Sequence, residues 1–126
     1  MTGQCYANSY HLLELLSESL SKETDSEEIE KLNGLSLVHG WITPNSGSEK
    51  GIKIDHAWIE SAVFVFETSA GGVAYQEIKQ FYREYQAIER VRYTLAGASY
   101  LKEKTKIYGP WDNEGRRHRG LPILQK

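Results

Sequence analysis

The first apolar pattern along the chain has a helical period. In "GQCYANSYHLLELL" and the residues that follow, Leu12, Leu13, Leu16 and Leu20 recur with polar residues between them. That spacing predicts a helix from about Cys5 to Leu20. Cys5, Ser9, Leu12 and Leu16 fall on one stripe, which places Cys5 on the face expected to pack on the core. "SKETDSEEIEKLNG" reads as a polar connector, in which Ser26 caps a short helix that stops at Asn33-Gly34.

The period then shortens. "LSLVHGWIT" predicts a first strand, and "IKIDHAWIE" and "VFVFET" predict two more, rich in β-branched and aromatic residues. "PNSGSEKG" is a turn-rich loop between the first two, and "SAGG" closes the third. Helical spacing returns at Tyr75, Ile78, Phe81, Tyr82 and Tyr85, predicting a helix that begins at Tyr75. "AIERVRYT" fits a strand or a continuation of that helix, with the strand preferred. "LAGASYLKEKTK" predicts a last short helix despite Gly97, and "YGPW" a turn with an anchoring aromatic. The tail from Asp112 to Lys126 reads as weakly structured, and neither repeats nor low-complexity segments occur. This order predicts an α+β fold: an N-terminal helix packed on a small antiparallel sheet of about three to five strands, with additional C-terminal helices.

Composition narrows the class. A chain of 126 residues suits one domain. With 40% hydrophobic and 25% charged residues, it has the balance of a soluble globular protein. The net charge of −2 gives no overall field for nucleic acid or an anionic membrane. A single cysteine cannot form an internal disulfide, which suits a reducing, cytoplasmic setting. The N-terminus lacks the basic-then-apolar pattern of a secretory signal. No apolar run approaches the roughly 18 residues of a membrane span.

Cys5 opens the predicted helix, where the positive end of the helix dipole favours a thiolate. Unpaired N–H groups of the first turn, that of Cys5 included, can hold an oxyanion, and Gln4 or Asn8 can add a side-chain donor. A nucleophilic cysteine needs a base and a group that orients the base. His56 begins "HAWIE". In a tight hairpin centred on Ser61-Ala62, His56 stands directly opposite Glu67, and Trp58 opposite Val65. Glu67 then accepts the imidazole N–H, while Asp55 points to the other face.

Each of these residues also has a plainer reading. Cys5 can be a small buried residue, His56 a histidine satisfied by Asp55 or the backbone, and Glu67 a solvated carboxylate at a strand end. His39, within an apolar strand, reads as structural or as a neighbour of the pocket, and Trp58 as a core anchor or pocket wall. His11 reads as surface or packing. One cysteine and scattered histidines lack zinc-ligand spacing, so no metal is expected. "GRRHRG", Gly115 to Gly120, is a basic cluster suited to a solvated tail or to a phosphate or acidic partner. The tyrosines at helical spacing read as core rather than as a stacking platform for bases.

The order "QCYANS", "LVHGWIT", "HAWIE", "VFET" resembles the papain-like and transglutaminase-like superfamily of cysteine hydrolases and transferases. More narrowly, it is similar to small bacterial and phage proteins with a "CY.N" start, an "HAW" strand and a "D.T"-like strand end. The resemblance covers about Gly3 to Thr68. It implies a helix opened by the nucleophile and packed on an antiparallel sheet, with Cys5 as nucleophile, His56 as base and Glu67 as orienting group. Glu67 stands where the superfamily commonly has Asp or Asn, and Tyr6 where Trp is common. The implied activity is a thiol hydrolase (peptidase, amidase or deamidase) or a transglutaminase-like transferase. It would take a protein, peptide or small amide as substrate and need no cofactor. The alternative is an inactive binding or adaptor domain on the same fold, phage- or host-derived. A weak nucleic-acid binder using the basic tail stands third. Nothing in the sequence sets an oligomeric state.

Overall fold

The computed structural model describes residues 2–69 and 72–111. Helix α1 spans Thr2–Lys22, and α2 spans Ser26–Leu32. Strands β1 (Ser36–Ile42), β2 (Ile54–Glu60), β3 (Phe64–Ser69) and β4 (Gly72–Glu77) follow. Then come α3 (Ile78–Glu84), β5 (Ile88–Tyr93) and α4 (Leu95–Thr105). Among the described residues the strands form one antiparallel sheet in the order β4-β3-β2-β1-β5. The α+β architecture read from the sequence is therefore the one adopted. The basic cluster and the rest of the tail, residues 112–126, lie outside the described residues.

α1 lies on one face of the sheet. Tyr6, Tyr10, Leu12, Leu13 and Leu16 are buried there, against Leu37, Ile59, Phe66 and Tyr93. Each fully buried leucine contributes about 1.5–3 kcal/mol relative to exposure. Ser9 is the polar residue on this stripe; its hydroxyl donates to the Ala57 carbonyl at 3.0 Å. That bond fixes the helix along β2 and sets Cys5, one turn earlier, near the start of the strand. Asp25, rather than Ser26, caps α2, accepting from the Glu27 N–H at 2.9 Å.

The other face carries Val38, Ile42, Trp58 and Val65, covered by Phe81 of α3. The Trp58 and Phe81 rings lie 5.1 Å apart. Here the sequence expectation is corrected. Tyr75 is not in a helix but on β4, opposite Phe66, with the rings stacked at 5.8 Å. The segment from Gly72 to Glu77 instead completes the hydrogen bonds of β3, and helix begins only at Ile78. Apolar spacing over Tyr75–Ile78 suits either period, and the unpaired edge of β3 decides between them.

β5 takes the opposite edge, beside β1, with a bulge between His39 and Gly40. A Cβ on Gly40 would stand 2.1 Å from the Ile88 carbonyl oxygen and 3.0 Å from the Trp58 ring. Only glycine lets the β5 backbone and that indole approach together.

The predicted β2–β3 hairpin forms one residue later than expected. Its ladder faces Ile59 with Phe66 and Glu60 with Val65, and Ser61 N–H bonds the Phe64 carbonyl at 2.8 Å. The turn is thus Ala62-Val63. The Ser61 hydroxyl selects it by accepting from the Val63 and Phe64 N–H groups at 3.2 and 3.0 Å. Val65 consequently opposes Glu60, not Trp58. Moving the turn by one residue moves every opposition by two, and two residues preserve the face.

Candidate active site

His56 lies on β2, opposite Gly40 of β1, with its side chain 21% exposed. Glu67 lies on β3. The two are not direct partners, because the shifted hairpin carries Glu67 toward Trp58. They share a face, however, and His56 Nε2 and Glu67 Oε2 meet at 2.5 Å. Asp55 points the other way, as expected, and pairs with Arg90 at 3.2 Å. The orienting contact to His56 therefore comes from Glu67.

Cys5 completes the group. Burial alone would push the His56 imidazole below its ordinary value. Hydrogen bonds to Cys5 and Glu67, with the charges of both, outweigh it and raise His56 to about 9. Cys5, His56 and Glu67 are thus brought into one contiguous chain of hydrogen bonds.

Behind this chain stands a second set of polar contacts. The Trp58 ring lies 6.1 Å from that of His56 at an interplanar angle of 28°. Its indole N–H donates to Glu60 Oε2 at 2.9 Å. Glu60, only 3% exposed, also accepts from the Tyr82 hydroxyl at 2.5 Å and from Arg92 at 2.9 Å. Burial, then the bond to Glu60, holds the Tyr82 hydroxyl well above the usual phenol range. Glu60 was not singled out from the sequence. The available signal was its parity: His56, Trp58 and Glu60 alternate along one strand and so share a face.

A cavity of about 320 Å³ opens at Cys5 and His56. Ile42, Pro44 and Ile54 give it an apolar lining, completed by Glu49 and by Asp55, whose side chain turns away to Arg90. Trp58 and His39, expected as pocket walls, are fully buried and lie behind or away from it. His39 faces the opposite side of the sheet. It is stacked on Trp111 at 5.3 Å and edged by Tyr6 at 4.7 Å and Tyr93 at 5.2 Å. Neither of its ring nitrogens has a hydrogen-bond partner. Burial, with the Arg90 charge nearby, drops its pKa to about 3. His39 is thus a neutral core residue, and Trp111 is the buried anchor expected of "YGPW". His11 is exposed and pairs with Glu14 at 3.2 Å.

α1 begins three residues ahead of Cys5. The open N–H groups of its first turn are therefore those of residues 2–4, Gln4 among them, rather than that of Cys5. The expectation that the Cys5 N–H is among the open donors is corrected accordingly. Asn8, partly exposed, lies one turn further on. Among the described residues no three His, Cys, Asp or Glu side chains gather as a metal site, and no helix is long and apolar enough to cross a membrane.

Set beside family models, curated proteins and solved structures, the chain has no match. The functional reading therefore rests on the site itself.

Proposed function

We propose that the chain is a small cytoplasmic cysteine hydrolase or acyl-transferase acting on an amide or thioester carbonyl. The observation that supports it is His56, held by Glu67 through Nε2 and hydrogen-bonded to Cys5. A base between a thiol and an orienting carboxylate is the arrangement nucleophilic catalysis needs.

The Cys5 sulfur adds to the carbonyl carbon, and the charge gathers on the carbonyl oxygen. First-turn N–H groups of α1 offer donors to that oxygen. As the tetrahedral species collapses, the carbon–nitrogen or carbon–sulfur bond breaks. The His56 imidazolium gives its proton to the departing amine or thiol. The acyl group remains on Cys5 as a thioester. Water or an acceptor amine then attacks, losing its proton to His56, and Cys5 is freed. Glu67 keeps the imidazole in one orientation throughout and balances its charge.

Alkylation kinetics test this. A free thiol is less than about 1% ionised near pH 6, so it reacts slowly with iodoacetamide there. Cys5 is expected to react at least about tenfold faster than such a thiol at that pH, and His56→Ala to remove the advantage. Equal rates would leave a binding or adaptor domain as the better reading.

A further inference from the structure

We propose that the cavity beside Cys5 receives a substrate segment with an apolar stem and a cationic end, paired with Glu49. This rests on the cysteine-nucleophile reading of the same site and names the substrate class for it.

Size comes first. A cavity of about 320 Å³ accommodates one long side chain or a short amine, not a folded surface. Its floor is apolar, made by Ile42 and Pro44 at the end of β1 and Ile54 at the start of β2. Methylene groups gain by covering such a floor, and a long cationic side chain can do so while its head stays polar.

Charge decides the head group. Two acidic residues line it. Asp55 is already neutralised by Arg90 at 3.2 Å, and Arg90 lies on the Trp41 ring at 4.6 Å. Glu49 makes no hydrogen bond or ion pair through its side chain among the described residues. The nearby Lys53 ammonium is placed over the Trp41 ring at 4.6 Å, outside the cavity lining. Glu49, an exposed loop residue, is thus a carboxylate without an ion-pair partner among the described residues that lines the same cavity as the thiol. An anionic group there would meet Glu49 directly. A neutral apolar group would bury its stem but gain nothing from the Glu49 charge. A cation satisfies both walls.

The loop that presents Glu49 is tied across its base. Gly51 N–H bonds the Pro44 carbonyl at 2.9 Å, and Ile52 N–H bonds the Glu49 carbonyl at 3.0 Å. The loop backbone that carries Glu49 is therefore anchored to the end of β1.

The test compares two alkylating probes with the same leaving group, aminopentyl iodoacetamide and hexyl iodoacetamide, on the full chain. In both, the Cys5 sulfur forms a bond to carbon as iodide leaves. The cationic probe is expected to react about fivefold faster, the effect of one charge pair near 4 Å in water-like surroundings. Added salt should shrink the ratio. Glu49→Gln should bring it to about one, and Glu49→Lys below one. A ratio of one in the unaltered chain overturns the cation site, while fast plain iodoacetamide labelling would leave the nucleophile standing. Slow labelling by plain iodoacetamide overturns both.

Discussion

His56 and Glu67 meet at 2.5 Å although neither stands opposite the other in the β2–β3 ladder. The turn at Ala62-Val63 moves the strands by two residues, and the longer reach of Glu spans the diagonal. A carboxylate on a shorter side chain at the same position would fall short by one methylene. This gives a physical reason for Glu rather than Asp at position 67.

After the hydrogen bond to Cys5, the bond to Glu67 and its charge support the protonated imidazole. Glu67→Gln retains an acceptor but removes the charge. The His56 pKa, about 9 in the native chain, is expected to fall by one unit or more. An NMR titration of the His56 ring proton reads this directly. The pH dependence of Cys5 alkylation should move with it. An unmoved titration would mean that Cys5 alone sustains the shift.

Stability should carry the same signature. His56 has a folded pKa above its unfolded value of about 6.5. Its stabilisation is complete below about 6.5 and is lost as pH rises through about 9. The difference in urea midpoint between the native chain and His56→Gln should be largest near pH 6 and shrink by pH 10. A difference that grows with pH would contradict the direction of the shift.

His39 predicts the opposite slope. Its folded pKa of about 3 lies below the unfolded value of about 6.5, so folding favours the neutral ring. Stability from this group is complete above about 6.5 and falls as pH drops toward 3, because the unfolded chain binds the proton first. His39→Leu replaces two unpartnered buried nitrogens with apolar volume. Acid unfolding, followed by circular dichroism, should shift to lower pH in that variant. An unchanged acid midpoint would show that other groups dominate it.

Gly40 is the most demanding backbone position near the site. Gly40→Ala places a carbon 2.1 Å from the Ile88 carbonyl oxygen, which must move with the whole of β5. A loss of about 1–3 kcal/mol is expected in urea unfolding. Because the Trp58 ring, which backs His56, lies 3.0 Å from the same point, Cys5 alkylation should slow as well.

Much of this was legible along the chain. The stripe of Leu12, Leu13 and Leu16 determined α1, since no other arrangement buries them together. The alternating strands determined β1, β2 and β3, and parity alone placed His56 and Glu67 on a common face and Asp55 on the other. Parity survives a two-residue change in register, which is why the pair was predictable from a hairpin drawn one residue out of place. The start of α1, the turn at Ala62-Val63, the strand at Gly72–Glu77 and the bulge at Gly40 were decided only in three dimensions. The strand at Gly72–Glu77 depends on the open edge of β3, the turn on the Ser61 hydroxyl, and the bulge on the close approach of the Ile88 carbonyl to Gly40. The same holds for Glu49. Its distance from Cys5 along the chain is long, and only the fold of α1 against β2 sets both on one cavity. Local periodicity records which residues must be buried. It does not record which partner completes a backbone hydrogen bond, and those partners fixed the remaining details of the site.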